Sequence, residues 1–456
     1  MIFLFLTGCG LKLTWPGVSS NSEGRKRLRN FTMDSLVVAN NKFCFDFFQA
    51  ISKDDDHKNI FFCPLSLSAA FGMIRLGARN DSAHQIDEVL HFNELLQNES
   101  KETDSCLKSN KQVLPDSSPE GQQQATGSQD VQPESSSDES KLLSCYFGKL
   151  LSKLDRIKNY YTLSMANRLY GEQEFPICQE YSDGVIQFYH TTIESVDFQK
   201  STEKSRQMIN FWVESQCQGK IKELFSKDTI NDATVLVLVN AVYFKAKWEK
   251  YFDCKNTVDA PFFLNENEQK SVKMMNQKGL YRIGFIEELQ AQILEMRYTI
   301  GKLSMFILLP SPSADNVKVL QELERKISYE KLVAWSGSEN MSEETVVISF
   351  PQFTLEDTYD LKAVIQDMGI TDIFDETKAD LTGISPSRSL HLSKILHKTF
   401  VEVDEDGTQA AATSGAVGVE KSLPSWVEFN ANHPFLFFIR HNKTQTILFC
   451  GRVCSP

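Results

Sequence analysis

Thr234-Val235-Leu236-Val237-Leu238-Val239-Asn240-Ala241-Val242-Tyr243-Phe244 is an almost continuous apolar run of strand-forming residues. A strand with one face in water alternates apolar and polar residues. A run like this one belongs to a strand buried on both faces. Working outward, further strands fall at 161–170, 280–286, 292–298, 302–309 and 344–354, and in the last hundred residues at 390–404, 426–430, 434–440 and 445–452. Leu36, Ala39, Phe43, Phe47 and Ile51 recur at helical spacing and predict a helix over 36–51. Pro64 suits the first turn of a helix running to Ala78. Other helices are expected at 82–92, 142–157, 178–188, 203–217 and 357–368. Helices dominate early and strands late, without an internal repeat, which implies a mixed α/β (α+β) fold with mostly antiparallel sheets.

The 456 residues are 41% hydrophobic and 24% charged, ordinary for a globular protein. Lys and Arg number 48 against 60 Asp and Glu, a formal charge of -12. That balance lacks the basic footprint of a general nucleic-acid binder. No apolar stretch reaches the length of about 18 residues that spans a membrane. Ile2 to Leu6 is short for a secretory signal, and no basic residue precedes it. Residues 1–32 therefore read as a disordered leader, with Met33 as a second candidate start of translation. The basic run Arg25-Lys26-Arg27-Leu28-Arg29 carries a weak nuclear-address reading.

The segment 97–141 is rich in Ser, Gln, Asp and Glu and nearly free of aromatics. It cannot bury enough apolar area to offset its ordering entropy, so a disordered insertion in a single domain over 33–456 is expected. The ten cysteines are scattered without a CxxC pair. Cys450 and Cys454 lie four residues apart in a strand, about 13 Å, beyond disulfide reach. Free thiols in a reducing compartment are expected, hence a cytoplasmic location, with nuclear or signal-independent extracellular routes as alternatives.

No GxSxG, HExxH, P-loop or GxGxxG motif occurs, and the eight histidines show no metal-ligand spacing. His397, in a mostly apolar strand, reads as a hydrogen-bonded core group rather than a base. No catalytic residue, metal or cofactor is indicated. One stretch stands out: Glu405-Asp406-Gly407-Thr408-Gln409-Ala410-Ala411-Ala412-Thr413-Ser414-Gly415-Ala416-Val417-Gly418-Val419-Glu420-Lys421-Ser422-Leu423-Pro424. It is small and uncharged from Gly407 through Val419, too bland for a packed strand or a good helix. With period 2, one face is Thr408, Ala410, Ala412, Ser414 and the other Gln409, Ala411, Thr413, Gly415. Either face could enter a sheet without steric or charge penalty. Beyond it, Lys421-Ser422 places a basic residue before a small one, and trypsin-like proteases take such a basic side chain into an acidic pocket. Taken alone, a flexible linker remains open.

Several ordered motifs resemble the serpins over nearly all of 33–456 apart from the insertion. Asn59-Ile60-Phe61-Phe62-Cys63-Pro64-Leu65-Ser66 is similar to the family segment NIFFSPxS, and Asn240-Ala241-Val242-Tyr243-Phe244-Lys245-Ala246-Lys247-Trp248 to its buried strand ending at tryptophan. Asp380-Leu381-Thr382-Gly383-Ile384, His433-Pro434-Phe435-Leu436-Phe437-Phe438-Ile439-Arg440 and the ending Gly451-Arg452-Val453-Cys454-Ser455-Pro456 fit the same pattern. The start at Met33-Asp34-Ser35-Leu36 resembles the ovalbumin-type clade B.

The resemblance implies the serpin fold, with three mainly antiparallel sheets, about nine helices and an exposed reactive-centre loop at 405–424. Glu405, Gly407, Thr408, Gln409, Ala410, Ala411 and Ala412 would form the hinge, and Lys421 and Ser422 the reactive bond. Cys63, Ser66, Asn240 and His397 would form the shutter under the main sheet, and Trp248 would mark the breach where loop insertion begins. Cys63 replaces the family's usual serine, which implies a weaker link or a redox-sensitive one. The implied activity is a single-use suicide substrate for trypsin-like serine proteases: cleavage at Lys421-Ser422, insertion of the loop into the main sheet, and covalent trapping of the acyl-enzyme by a monomer. The alternatives are a non-inhibitory binding protein on the same fold and a cross-class inhibitor of papain-like cysteine proteases. Lys149, Lys153, Arg156 and Lys158 read as a solvated helix face rather than a glycosaminoglycan site.

Overall fold

A computed structural model describes residues 33–53, 57–96, 135–155, 161–265, 267–313, 316–406 and 426–456. The chain begins with α1 (Met33–Ile51), β1 (Ile60–Phe62), α2 (Pro64–Gly77), α3 (Asn80–Val89), α4 (Asn93–Leu96) and α5 (Ser135–Asp155). Then come β2 (Tyr161–Glu172), α6 (Gln179–Tyr189), β3 (Ile193–Val196), α7 (Phe198–Gln216), β4 (Leu236–Ala246), β5 (Val258–Phe263), β6 (Gln269–Ile286), β7 (Ala291–Arg297) and β8 (Leu303–Pro310). The last third holds α8 (Asn316–Lys326), α9 (Tyr329–Trp335), β9 (Ser342–Pro351), β10 (Phe353–Asp360), α10 (Leu361–Met368), β11 (Lys394–Val403), β12 (Val427–Asn430), β13 (Phe435–His441) and β14 (Thr446–Val453).

The mixed class is as expected. The sheets are joined differently from the three anticipated: hydrogen bonds among the described residues give two. One has five strands in the order β10-β11-β4-β2-β3; the other has nine, running β1-β14-β13-β8-β7-β6-β9-β12 with β5 beside β6. The cause is β6, 18 residues without a break. It pairs with β5 at one end, β9 through its middle and β7 at the other end, fusing what would otherwise be two sheets.

The apolar run 234–244 becomes β4, and it is covered on both faces. Leu236, Leu238, Val242 and Phe244 belong to the main core, while Val237, Val239, Ala241 and Tyr243 pack with Ile209 and Val213 of α7. Every residue of α2 is buried. This helix lies between the sheets, against β14, β4, α5 and α6. Gly77 and Gly383 explain the 380–384 motif. Gly383 N donates to Gly77 O at 2.9 Å, and a side chain on Gly383 would collide with that carbonyl and with Arg79. The loop leading to β11 is thereby pinned to the end of α2.

Two boundaries in particular differ from expectation. Residues 357–360, expected as helix, are the end of strand β10, because an eight-residue ladder with β11 outweighs local propensity. The insertion expected to be disordered through Lys141 ends earlier: α5 reaches back to Ser135, with Ser140 buried and Lys141 paired to Glu180 at 2.6 Å. Strands β3, β5 and the first half of β6 and helices α8 and α9 escaped the sequence reading. Residues 1–32, 97–134 and 407–425 are among those that lie outside the described residues. No helix among the described residues is long and apolar enough to cross a membrane.

Candidate functional site: the seam between β4 and β11

The five-stranded sheet contains a parallel seam at its centre. Strand β11 pairs with β4 in parallel from Lys394↔Val237 to Val401↔Phe244. Its outer neighbours are antiparallel: β10 with β11, and β2 with β4. Parallel ladders are slightly less stable per residue than antiparallel ones. The chain leaves β11 and runs directly into the 405–424 segment.

His397 and Asn240 face each other across the middle of this seam. His397 is fully buried and hydrogen-bonded through both ring nitrogens. Nε2 lies 3.2 Å from the Cys63 backbone N–H, which can only donate. Nε2 is therefore the acceptor, and Nδ1 carries the proton it donates to Asn240 Oδ1 at 2.7 Å. That fixes the Asn240 amide: its oxygen faces the imidazole, and its Nδ2 is left buried without a partner. Such an orphan donor costs about 1–3 kcal/mol. Ser66 Oγ lies 3.2 Å from Asn240 Oδ1 and 3.0 Å from Asn167 Oδ1, and Asn167 Nδ2 donates to Ser66 O at 3.2 Å. Cys63 caps α2: its Sγ accepts from Ser66 N at 3.4 Å. Burial pushes its thiol up to about 12, so it is a neutral, weak acceptor. A protonated thiol at 1% exposure is unreactive, which favours the weakened link over the redox-sensitive one.

The four expected shutter residues thus meet in one cluster. Asn167, paired directly with Asn240 across β2 and β4, was missed. The available signal was an Asn in the middle of an otherwise strand-like run, Tyr161 to Tyr170.

Burial pushes the His397 pKa down to about 3, against about 6.5 in an unfolded chain. Between those values the unfolded chain binds a proton that the folded one refuses. The stability contributed is complete above about pH 6.5 and is lost as pH falls toward 3. At about pH 5 the loss attributable to His397 is about 2 kcal/mol. His433 and His441 are also pushed down by burial, so a variant is needed to isolate the effect. From about pH 7.5 to about pH 5, wild type is expected to lose about 2 kcal/mol more stability than His397→Gln in chemical denaturation. Equal losses would place the proton uptake elsewhere.

The top of the seam is latched. Trp248 is 2% exposed and stacks on Tyr298 with ring centres 4.4 Å apart. Its Nε1 donates to Asp404 O at 2.9 Å and its backbone N to Asp406 O at 3.0 Å. Phe252 N donates to Glu405 O at 3.3 Å, and Thr257 Oγ1 to Glu405 Oε1 at 2.7 Å. Lys245 of β4 meets Asp404 at 2.7 Å. Trp248 thus holds the backbone of Asp404 and Asp406, where the chain enters the 405–424 segment. Of the expected hinge, only Glu405 is among the described residues. Gly407, Thr408, Gln409, Ala410, Ala411, Ala412, Lys421 and Ser422 lie outside them.

Known proteins share this architecture and sequence. The family model described as Serpin (serine protease inhibitor) matches residues 38–456. Serpin B12 of Homo sapiens is 78% identical over 424 residues, covering 93% of this chain and 100% of the relative. Serpin B12 of Mus musculus is 73% identical with the same coverage. These relatives agree with the clade B resemblance of the start at Met33-Asp34-Ser35-Leu36. The crystal structure of uncleaved ovalbumin superposes with a TM-score of 0.76 at 32% identity, over 92% of this chain and 100% of that one. The chain belongs to the serpin family.

Proposed function

We propose that this chain inhibits trypsin-like serine proteases by offering Lys421-Ser422 as a substrate and then inserting the cut loop between β4 and β11. As a serpin it is a protease inhibitor and not an enzyme, and its partners are target proteases. The observation that carries the mechanism is the parallel seam. A loop that turns back from the end of β11 runs antiparallel to β11, and therefore also to β4, which is parallel to β11. Insertion replaces one parallel ladder with two antiparallel ones. The net gain is one further ladder, on the order of 10 kcal/mol at about 1 kcal/mol per bond. It also separates His397 from Asn240, giving the orphaned Nδ2 a route to a new partner.

The latch at Trp248 and the shutter at His397 supply the barrier that keeps the intact form from relaxing. After the protease serine attacks the Lys421 carbonyl, the bond to Ser422 breaks and an acyl ester remains. Insertion carries the tethered protease along the sheet and displaces its oxyanion hole, so deacylation stalls. Nearly uncharged side chains from Gly407 through Val419 make that insertion fast. An intracellular setting fits the free buried cysteines among the described residues.

Mixing with trypsin tests the reading. A covalent band surviving SDS, with the chain cut after Lys421, is expected. Cleavage without any such band would favour a non-inhibitory member of the fold.

A further inference from the structure

A cavity of about 400 Å3 opens beside Trp248, between the end of β4 and strands β6, β7 and β9. Its floor is Trp248, Tyr281, Glu295 and Met296, all buried. Glu295 is already satisfied: Oε2 accepts from Arg282 at 2.7 Å and Oε1 from Ser304 at 2.7 Å. The Tyr281 hydroxyl is not. Tyr281 is 7% exposed and its oxygen has no hydrogen-bond partner among the described residues, an exception among buried polar groups. Burial pushes its ionisation well up, so it remains a phenol able to donate.

At the mouth, the half-exposed Arg297 side chain approaches Glu295, with Nε 3.5 Å from Oε1. Lys250 donates to Leu280 O, and its ammonium lies 4.7 Å from the Tyr281 ring centre. Glu249 and Glu343 also line the mouth, but both are exposed to screening water. The buried donor that lacks an acceptor among the described residues is therefore the Tyr281 phenol, with the half-exposed Arg297 guanidinium at the mouth, above the apolar surfaces of Trp248 and Met296. A guanidinium fork matches a carboxylate.

We propose that this cavity binds a small organic carboxylate, its oxygens received by the Tyr281 hydroxyl and the Arg297 guanidinium and its apolar part laid against Trp248 and Met296. Trp248 also holds Asp404 and Asp406, so an occupied cavity braces the root of the loop. On the reading of the loop given above, that bracing slows insertion.

Benzoate, with neutral benzamide as its control, tests the site on the intact full chain by calorimetry without any protease. Saturable benzoate binding is expected, with benzamide inert. Tyr281→Phe and Arg297→Gln should each weaken it at least about tenfold, while Arg325→Gln on the exposed face of α8 should not. Near-UV circular dichroism checks that each variant is folded. Absence of saturable binding, or undiminished binding in folded Tyr281→Phe and Arg297→Gln, would overturn the site. Amide exchange reads the bracing: benzoate should slow exchange at Trp248 and Phe252, whose N–H groups hold Asp406 and Glu405. Unchanged exchange with benzoate bound would overturn that part. Because no arm uses inhibition, a failure here is distinct from a failure of the protease-inhibitor reading.

Discussion

Thr408→Arg is expected to abolish the SDS-stable complex with trypsin while leaving cleavage after Lys421 intact. Thr408 lies two residues beyond Asp406, which Trp248 N still holds, so it is among the first residues that must pass between β4 and β11. From Leu236 to Phe244 the side chains of β4 are apolar apart from Asn240, with Lys245 beyond them already paired to Asp404. Carrying a guanidinium into that gap without a partner costs several kcal/mol. Insertion competes with hydrolysis of the acyl ester, and each 1.4 kcal/mol added to its barrier slows it about tenfold. A hundredfold or greater slowing, roughly, hands the race to hydrolysis. The variant is then an ordinary substrate, cut and released. A complex of unchanged yield would mean that insertion does not begin at this end of the loop.

Replacement of the basic residue at the reactive bond is expected to act earlier, at recognition. Lys421→Ala removes the ammonium that a trypsin-like acidic pocket is built to bind and leaves the pocket's carboxylate unpaired. Sites that depend on such a polar contact discriminate by large factors, so the inhibition rate constant should fall at least about a hundredfold. The fold should be unaffected. Inhibition that survives unchanged would place the scissile bond elsewhere in the 405–424 segment.

Strand β4 was legible because burial on both faces erases alternation, and it shows that pattern with one core on each side. Helix α2 was legible from Pro64 and the unbroken small and apolar residues behind it. Strand β10 was not. Its inward positions include Asp357, buried beside Tyr359 at 3.1 Å, and an inward acid looks like a helix surface until the partner is known. The start of α5 was hidden for a similar reason, since its polar residues are ordered by contacts such as Lys141 with Glu180. At the site, the shutter residues were named through family motifs. The hydrogen-bond directions, the orphaned Asn240 Nδ2 and the share taken by Asn167 belong to tertiary geometry. So does the parallel pairing of β4 with β11, which no local pattern encodes.

The proposed trap runs on free energy held back in the intact chain, and comparing the melting of intact protein with protein clipped once at Lys421 measures it directly. With on the order of 10 kcal/mol released by insertion, the clipped form should melt higher by about 10 °C or more. A clipped form that melts at or below the intact temperature would contradict it, because cutting would then have released nothing.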